Sequence, residues 1–209
     1  METYILIMMK FKKTFILLAL FLLSIVNNTA NALEESLKES CYDNNNMKAC
    51  SMLALFYLDD DGPLEKNLSE AAKLFKKACA GNWASACHNF GYMNYDGIGM
   101  KKDLLQSKRY FQQACNMDYS NSCAYLAMHY IQGFATEKDD FKAVELAQKS
   151  CKGDSEWGCN ILGKLYEDGR GLRKNLCSAL QFYGKSCDLK YSTGCSNYAR
   201  VLDITKSDC

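Results

Sequence analysis

The sequence predicts an all-α fold of the α-solenoid type, a stack of antiparallel helix pairs. Three observations predict it. Pairs of cysteines eight residues apart recur every 36 residues, apolar residues between them recur at helical spacing, and a glycine follows the second helix of each unit. A fixed period of this size indicates a repeat array in which each unit packs on its neighbours.

The cysteine pairs define the units. The four regular pairs begin at Cys79, Cys115, Cys151 and Cys187, and an earlier pair, Cys41 and Cys50, has one extra residue in its loop. Two cysteines, Cys177 and Cys209, lie outside the pattern. The twelve candidate disulfide residues are therefore Cys41, Cys50, Cys79, Cys87, Cys115, Cys123, Cys151, Cys159, Cys187, Cys195, Cys177 and Cys209.

Each unit reads as helix A, a short loop, helix B and a glycine-containing loop. Ala71, Leu74, Phe75 and Ala78 have the i, i+3, i+4, i+7 spacing of one helix face, and Ser69 followed by Glu70 is a plausible helix start. The glycines that follow helix B are suited to a C-terminal cap. They are Gly97, Gly133 and Gly169.

Equivalent positions keep their character through the array. One helix A column is large and apolar, and one helix B column is small, which lets helices approach closely. The first column is Leu74, Tyr110, Leu146 and Phe182, and the second is Gly91, Ala127, Gly163 and Ala199.

The N-terminus predicts export. Three lysines precede the apolar run Thr14–Val26, and Ala30-Asn31-Ala32 is a small-x-small cleavage site, so residues 1–32 are predicted to be a cleaved signal peptide. A retained anchor is the weaker alternative, because the apolar run is shorter than the roughly 20 residues that span a bilayer. Translation starting at Met8 or Met9 is a further hypothesis. We expect residues 33–209 to form a single solenoid of about five stapled repeats, secreted or periplasmic.

An oxidising compartment favours disulfides over the alternatives for the cysteines. Zinc sites use tighter spacing and more histidine, whereas this chain has only His88 and His129, each expected to be a structural or surface residue. A redox C-x-x-C motif is absent. Cys177 and Cys209 are predicted to pair, with two free thiols as the alternative. No metal or organic cofactor is expected.

Charge argues against nucleic acid and anionic membranes as partners. The chain has 25 basic and 24 acidic side chains. Loss of residues 1–32 removes three lysines and one glutamate, which leaves a net charge of −1. We expect no membrane insertion after signal cleavage.

Two polar columns on helix A are candidate binding residues for an extended peptide or a carboxylate. A solvated helix face is the simpler interpretation. The first column is Lys77, Gln113, Lys149 and Lys185, and the second is Lys73, Arg109, Glu145 and Gln181. A helix B column, Asn89, Tyr125, Ile161 and Asn197, is interpreted as packing.

The repeats resemble the Sel-one-like repeat, a relative of the tetratricopeptide repeat. The matching elements are "KKAC", "QQAC", "QKSC" and "GKSC" at the end of helix A, and "YMNYDGIG" and "KLYEDGRG" at the end of helix B. A cysteine pair in every repeat together with a signal peptide is similar to the Helicobacter cysteine-rich protein family. The resemblance implies a right-handed superhelix, secretion, and either peptide or protein binding or the β-lactamase and penicillin-binding activity with which such proteins are commonly labelled.

The residues themselves do not supply a known β-lactamase site. No serine begins an S-x-x-K motif, S-D-N and K-T-G are absent, and two histidines cannot build a zinc site. We therefore predict an exported, monomeric module that binds a peptide, a protein or a cell-wall-related ligand. A β-lactamase of low activity with unknown catalytic residues is the alternative.

Overall fold

The computed structural model describes residues 28–205 and Cys209, and within them every regular element is a helix. The first helix, α1, covers residues 28–42. The others are α2 (Met47–Leu58), α3 (Leu68–Ala80), α4 (Ala84–Asp96), α5 (Leu104–Asn116), α6 (Ser120–Gln132), α7 (Asp140–Lys152), α8 (Glu156–Asp168), α9 (Leu176–Asp188) and α10 (Ser192–Thr205). The predicted all-α fold of the α-solenoid class is confirmed.

The helices belong to two compact units, one ending at Ala71 and the other covering Ala72–Cys209. In the described part of the first unit, a disulfide between Cys41 and Cys50 joins the end of α1 to α2. The Tyr57 hydroxyl also donates a hydrogen bond of 2.5 Å to Glu34 on α1. In the second unit each helix packs on the next, from α4 to α10. One continuous array over residues 33–209 stays a prediction.

A capping side chain starts every helix A of the regular repeats. The Asn67 carboxamide oxygen accepts from the backbone N–H of Glu70 at 3.1 Å, so α3 begins at Leu68, one residue before the predicted Ser69. Asp103, Asp139 and Asn175 cap α5, α7 and α9 in the same way. These caps recur at the 36-residue period, because each satisfies N–H groups that the first helical turn leaves unpaired.

Left-handed backbone follows three of the helices B and also lies at the turns of the regular repeats. After helix B, Gly97, Gly133 and Gly169 have φ of 80°, 75° and 70°, which confirms their predicted capping role. At the turn from helix A to helix B, the left-handed residues are Asn82, Asp118, Asp154 and Lys190. Asn and Asp tolerate this conformation, whereas lysine lacks their compensating local hydrogen bonds.

Disulfides close the hairpin turns. Each regular staple joins the last turn of helix A to the first turn of helix B, with Cα–Cα distances between 4.4 and 4.8 Å. The stapled pairs are Cys79–Cys87, Cys115–Cys123, Cys151–Cys159 and Cys187–Cys195. A sixth disulfide joins Cys177, in the first turn of α9, to Cys209. The predicted stapling of the repeats is therefore present.

The column of small residues on helix B gives room to aromatic rings of the next helix A. A Cβ at Gly91 would lie 3.0 Å from the Phe111 ring, and one at Gly163 would lie 2.7 Å from the Tyr183 ring. Both rings are fully buried. Where this column has Ala127, the residue 20 positions later is alanine rather than an aromatic residue. The size of one column thus follows the size of the other.

A second complementary pair lies at the hairpin turns. A Cβ at Gly158 would lie 2.1 Å from the Ser150 hydroxyl, and one at Gly194 would lie 2.3 Å from the Ser186 hydroxyl. Each hydroxyl donates a 2.7 Å hydrogen bond to a helix B backbone carbonyl of the preceding repeat, at Ser120 and Glu156 respectively. These bonds tie consecutive repeats together.

Most of the predicted signal peptide, residues 1–27, lies outside the described residues. Ala32, after which cleavage is predicted, lies within α1. Among the described residues, no helix combines the length and apolar character needed to cross a bilayer.

Candidate functional site

The first predicted binding column makes contacts between repeats. The Lys185 ammonium donates to the backbone carbonyl of Cys151 at 2.8 Å and pairs with Asp154 at 2.9 Å. Lys149 pairs with Asp118 at 2.8 Å, and the hydrogen bond lowers the pKa of that carboxyl. Each lysine thus reaches the hairpin turn of the preceding repeat, where it neutralises the acidic turn residue.

The uncharged member of the column behaves in the same way. The Gln113 carboxamide donates to the backbone carbonyl of Cys79 at 3.3 Å, which is the same contact that Lys185 makes with Cys151. Lys77 also has an interaction partner. The spacing of charged residues in the sequence indicates these contacts between repeats, although the helix columns alone do not. The two acidic turn residues lie 31 positions before the two lysines that pair with them.

The second predicted column does not form a basic strip. Lys73, Arg109 and Gln181 are exposed, and Glu145 pairs with Lys142 at 2.9 Å. The sign of the charge changes along this column, from two cations to an anion and then to a neutral amide. A role for these residues in binding stays a prediction.

A groove with an apolar floor lies between the helices B of two consecutive repeats, α6 and α8. Its volume is about 280 Å³. The floor is formed by Met128, Ile131, Trp157, Ile161 and Leu165, and the rim by Gln132, Asn160, Lys164, Asp168 and Arg170. We call this feature the α6–α8 groove.

The charged groups on the rim of the α6–α8 groove are already paired. Lys164 pairs with Asp168 at 3.0 Å. Arg170 donates to both carboxylate oxygens of Asp140 and to the backbone carbonyl of Ile131. The groove therefore offers an apolar floor, two carboxamides and no unbalanced charge, which suits an uncharged ligand with apolar side chains better than a carboxylate.

An aromatic cluster supports one end of the groove. The indole of Trp157 packs edge-on against Tyr125 with ring centroids 4.6 Å apart, and Tyr125 stacks on Phe111 at the same distance. Burial raises the pKa of Tyr125 to about 12, so this ring stays neutral. Tyr92 and Tyr95 also contact Tyr125 at 5.8 Å. These contacts hold Trp157 in a fixed orientation at the groove.

The helix B column interpreted as packing contributes Ile161 to the floor of this groove. Ile161 is buried, and the Asn197 carboxamide donates to Asn160 at 2.8 Å. The groove itself was missed because its residues interrupt the repeat. Trp157 stands where other units have Ser85, Asn121 and Thr193, and a tryptophan in a polar column was the available signal.

In the part of the chain that the structure describes, two serine–histidine pairs occur, and both are structural. His88 lies 2.8 Å from the Ser122 hydroxyl, and His129 lies 3.4 Å from the Ser107 hydroxyl. Neither serine has accessible surface, so neither hydroxyl can reach a substrate carbonyl. Burial lowers the pKa of His88 to about 4 and also lowers the pKa of His129. Among the described residues, no group of His, Cys, Asp or Glu is arranged to hold a metal.

Stacked αα-hairpins closed by disulfides define the class of protein, which is a helical-repeat protein of the α-solenoid type. The sequence profile of the Sel1 repeat matches residues 48–83, 84–119, 120–155 and 158–191. Because these segments cover well over half of the sequence, the chain belongs to the Sel1 repeat family. Sel1 repeats are in general protein-interaction modules.

The matched segments begin at a helix B and end after the following helix A. In this frame Cys79 lies in the first segment and Cys87 in the second, and Cys115 and Cys123 are divided in the same way. These two staples and Cys151–Cys159 therefore connect consecutive Sel1 segments rather than closing each one internally. Cys41–Cys50 and Cys187–Cys195 each have one cysteine outside the matched segments.

Many solved structures are similar to this chain, and three of them show the range of similarity. The first is c5321, a protective antigen of uropathogenic Escherichia coli, with 24% identity and a TM-score of 0.74, covering 80% of this chain. This chain spans only 36% of the length of that protein. A Sel1 repeat protein from Oxalobacter formigenes has 22% identity and a TM-score of 0.74, covering 87% of this chain and 75% of its own. Identities this low show the fold alone.

The third structure is Helicobacter pylori cysteine rich protein B, with 28% identity and a TM-score of 0.51, covering 64% of this chain and 96% of its own. It agrees with the resemblance to the Helicobacter cysteine-rich proteins that the cysteine pattern predicted. None of the curated protein sequences compared with this chain is significantly similar to it. The six disulfides are typical of an extracellular or periplasmic protein.

Proposed function

We propose that this chain is an exported interaction module that binds a peptide segment of a partner protein in the α6–α8 groove. The observation that carries the proposal is the combination of an apolar floor with a neutral, hydrogen-bonding rim between two helices B. The bound segment is uncharged where it contacts the groove and places an apolar side chain over Ile161 and Leu165. Residues 1–32 direct export and are then cleaved from the chain. The exported chain acts as a monomer.

The size of the groove favours a peptide side chain over a small molecule. Sites that enclose small molecules typically have volumes of about 300–1,000 Å³ and bury most of the ligand. The α6–α8 groove has about 280 Å³, just below this range, and is partly open to solvent. It therefore holds one or two side chains of a longer segment whose backbone runs along the rim.

The rim supplies what a peptide backbone needs. A carboxamide both donates and accepts hydrogen bonds, so Gln132 can pair with peptide N–H and carbonyl groups without adding charge. The oxygen of Asn160 already accepts from Asn197, and the Asn160 amide group can donate to a peptide carbonyl. Tryptophan is enriched among residues that dominate binding energy, because a fixed indole buries a large area at low entropic cost. Trp157 already has this fixed position through its contact with Tyr125.

The proposal is tested with a random peptide library displayed on phage and selected against the oxidised protein. Selected peptides are synthesised with a fluorophore and their affinity is measured by fluorescence polarisation. The variant Met128→Lys places a charge at the groove floor, and Met52→Lys, on exposed surface of α2, is the matched control. We expect Met128→Lys to weaken binding about tenfold or more and Met52→Lys to change it less than about twofold.

Two results would contradict the proposal. One is a selection that enriches no apolar side chain. The other is a set of peptides whose affinity falls equally in both variants, since that would place their site outside the groove.

A further inference from the structure

One disulfide differs from the other five in its exposure. Cys177 and Cys209 are both exposed to solvent. Eight cysteines of the hairpin staples are between 0% and 3% exposed. The remaining staple, Cys187–Cys195, is half-buried at both ends. A reagent in solution therefore meets the sulfurs of Cys177 and Cys209 first.

A cavity beside this disulfide gives an attacking group room to approach. It has a volume of about 650 Å³ and is lined by both cysteines together with Leu180, Gly184 and Tyr198. Cys123 also lines a cavity, but that cysteine has no accessible surface. Cys177–Cys209 therefore combines exposed cysteines with free space beside the disulfide.

We propose that Cys177–Cys209 is a thiol–disulfide exchange site whose co-reactant is a protein dithiol of the same extracytoplasmic compartment. The attacking thiolate forms a bond to the Cys209 sulfur, and the Cys177–Cys209 bond breaks. Its electron pair stays on the Cys177 sulfur, which leaves as a thiolate. The second thiol of the dithiol then attacks the mixed disulfide and releases Cys209. The dithiol is thereby oxidised to a disulfide, and the Cys177–Cys209 disulfide is reduced to two thiols by the same two electrons.

The position of Cys177 determines which sulfur leaves. It is the second residue of the 13-residue helix α9, which Asn175 caps. Helix N-termini stabilise negative charge, so a thiolate at Cys177 is a better leaving group than one at the chain end. Attack is therefore expected at Cys209, and the fold should persist because the five staples remain closed.

The experiment exposes the oxidised, undenatured full chain to graded dithiothreitol at neutral pH and traps free thiols with iodoacetamide. Peptide mass mapping then gives a labelling rate for each cysteine. We expect the labelling of Cys177 and Cys209 to be at least about tenfold faster than that of any staple cysteine. The far-UV circular dichroism spectrum should not change. Labelling of a staple at the same rate or earlier would overturn the proposal.

A second arm uses reduced glutathione, a monothiol that leaves a mixed disulfide in place. We expect the adduct on Cys209, and an adduct chiefly on Cys177 would overturn the assignment of the leaving sulfur. The matched control is the double variant Cys177→Ser/Cys209→Ser. The staples of this variant should be labelled at the same slow rate as in the parent protein. Fast labelling of its staples would overturn the proposal, because it would show that Cys177–Cys209 protects the staples from reduction rather than being a separate exchange site.

Discussion

Gly163 provides the sharpest test of how consecutive repeats pack. Replacing it with alanine adds a Cβ that would lie 2.7 Å from Cδ1 and 2.8 Å from Cε1 of Tyr183, well inside contact distance. The ring cannot move away freely, because it is fully buried and its hydroxyl donates to Glu167 at 2.7 Å. Overpacking of this kind typically costs about 1–3 kcal/mol.

Helix propensity acts in the opposite direction. Alanine is favoured over glycine within a helix by about 1 kcal/mol, so the net expected loss for Gly163→Ala is about 0–2 kcal/mol. Gly91→Ala should lose less, because its Cβ would lie 3.0 Å from the Phe111 ring. The free energy of unfolding of both variants is measured by chemical denaturation, with the helical circular dichroism signal as the readout.

A double-mutant cycle identifies the cause. In the background Tyr183→Leu the ring is absent, so Gly163→Ala should become neutral or stabilising, with a coupling of about 1 kcal/mol or more between the two sites. A stabilising effect of Gly163→Ala in the wild-type background would refute the steric argument. An unchanged loss in the Tyr183→Leu background would refute it as well.

Four further predictions follow from other features. Lys190→Gly should raise the free energy of unfolding by about 1 kcal/mol, because φ at this position is 73° and glycine adopts that conformation without strain. Asp154→Gly should raise it by less, because aspartate tolerates the left-handed conformation better than lysine does. The same chemical denaturation measures both variants. His88 takes up a proton in the unfolded state below pH 6.5 but resists it when folded until about pH 4, so stability should fall over this window by about 2–3 kcal/mol, and His88→Gln should flatten that fall. Reduction of all disulfides in excess reductant should lower the melting temperature strongly, because each nine-residue ring contributes about 2.6 kcal/mol; an unchanged melt would show that the staples are not needed for stability. A chromogenic cephalosporin and a labelled penicillin should give neither turnover nor a covalent adduct, because the serines paired with histidine are fully buried; an adduct on intact mass would identify a nucleophile elsewhere.

The repeat architecture was predictable from sequence because its determinants are local and periodic. Cysteines eight residues apart fit a short hairpin turn, and a glycine such as Gly97 follows helix B where left-handed backbone is required. The small column at Gly163 also anticipated close helix packing. What the columns did not reveal was which large residue fills the space opposite each glycine, since that depends on the stacking of consecutive repeats.

The candidate site was much less predictable. The structure shows that Lys149 and Lys185 of the first polar column reach acidic turn residues of the preceding repeat, which the column alone did not reveal. Such contacts depend on the offset between repeats rather than on the face of one helix. A binding role for this column stays a prediction. The α6–α8 groove was missed for the opposite reason, because Trp157 and Met128 are departures from the repeat that a search for periodicity averages out.

The central claim, that the α6–α8 groove binds a peptide segment, is tested most directly by the fluorescence of Trp157. The chain has two tryptophans, and Trp83→Phe, an exchange at a partly exposed position, leaves Trp157 as the only one. Titration of this variant with a library-selected peptide should shift the emission to shorter wavelength, saturate, and lose its effect in the Met128→Lys background. Saturable binding by polarisation with no change in Trp157 emission would contradict the claim and place the binding site elsewhere on the chain.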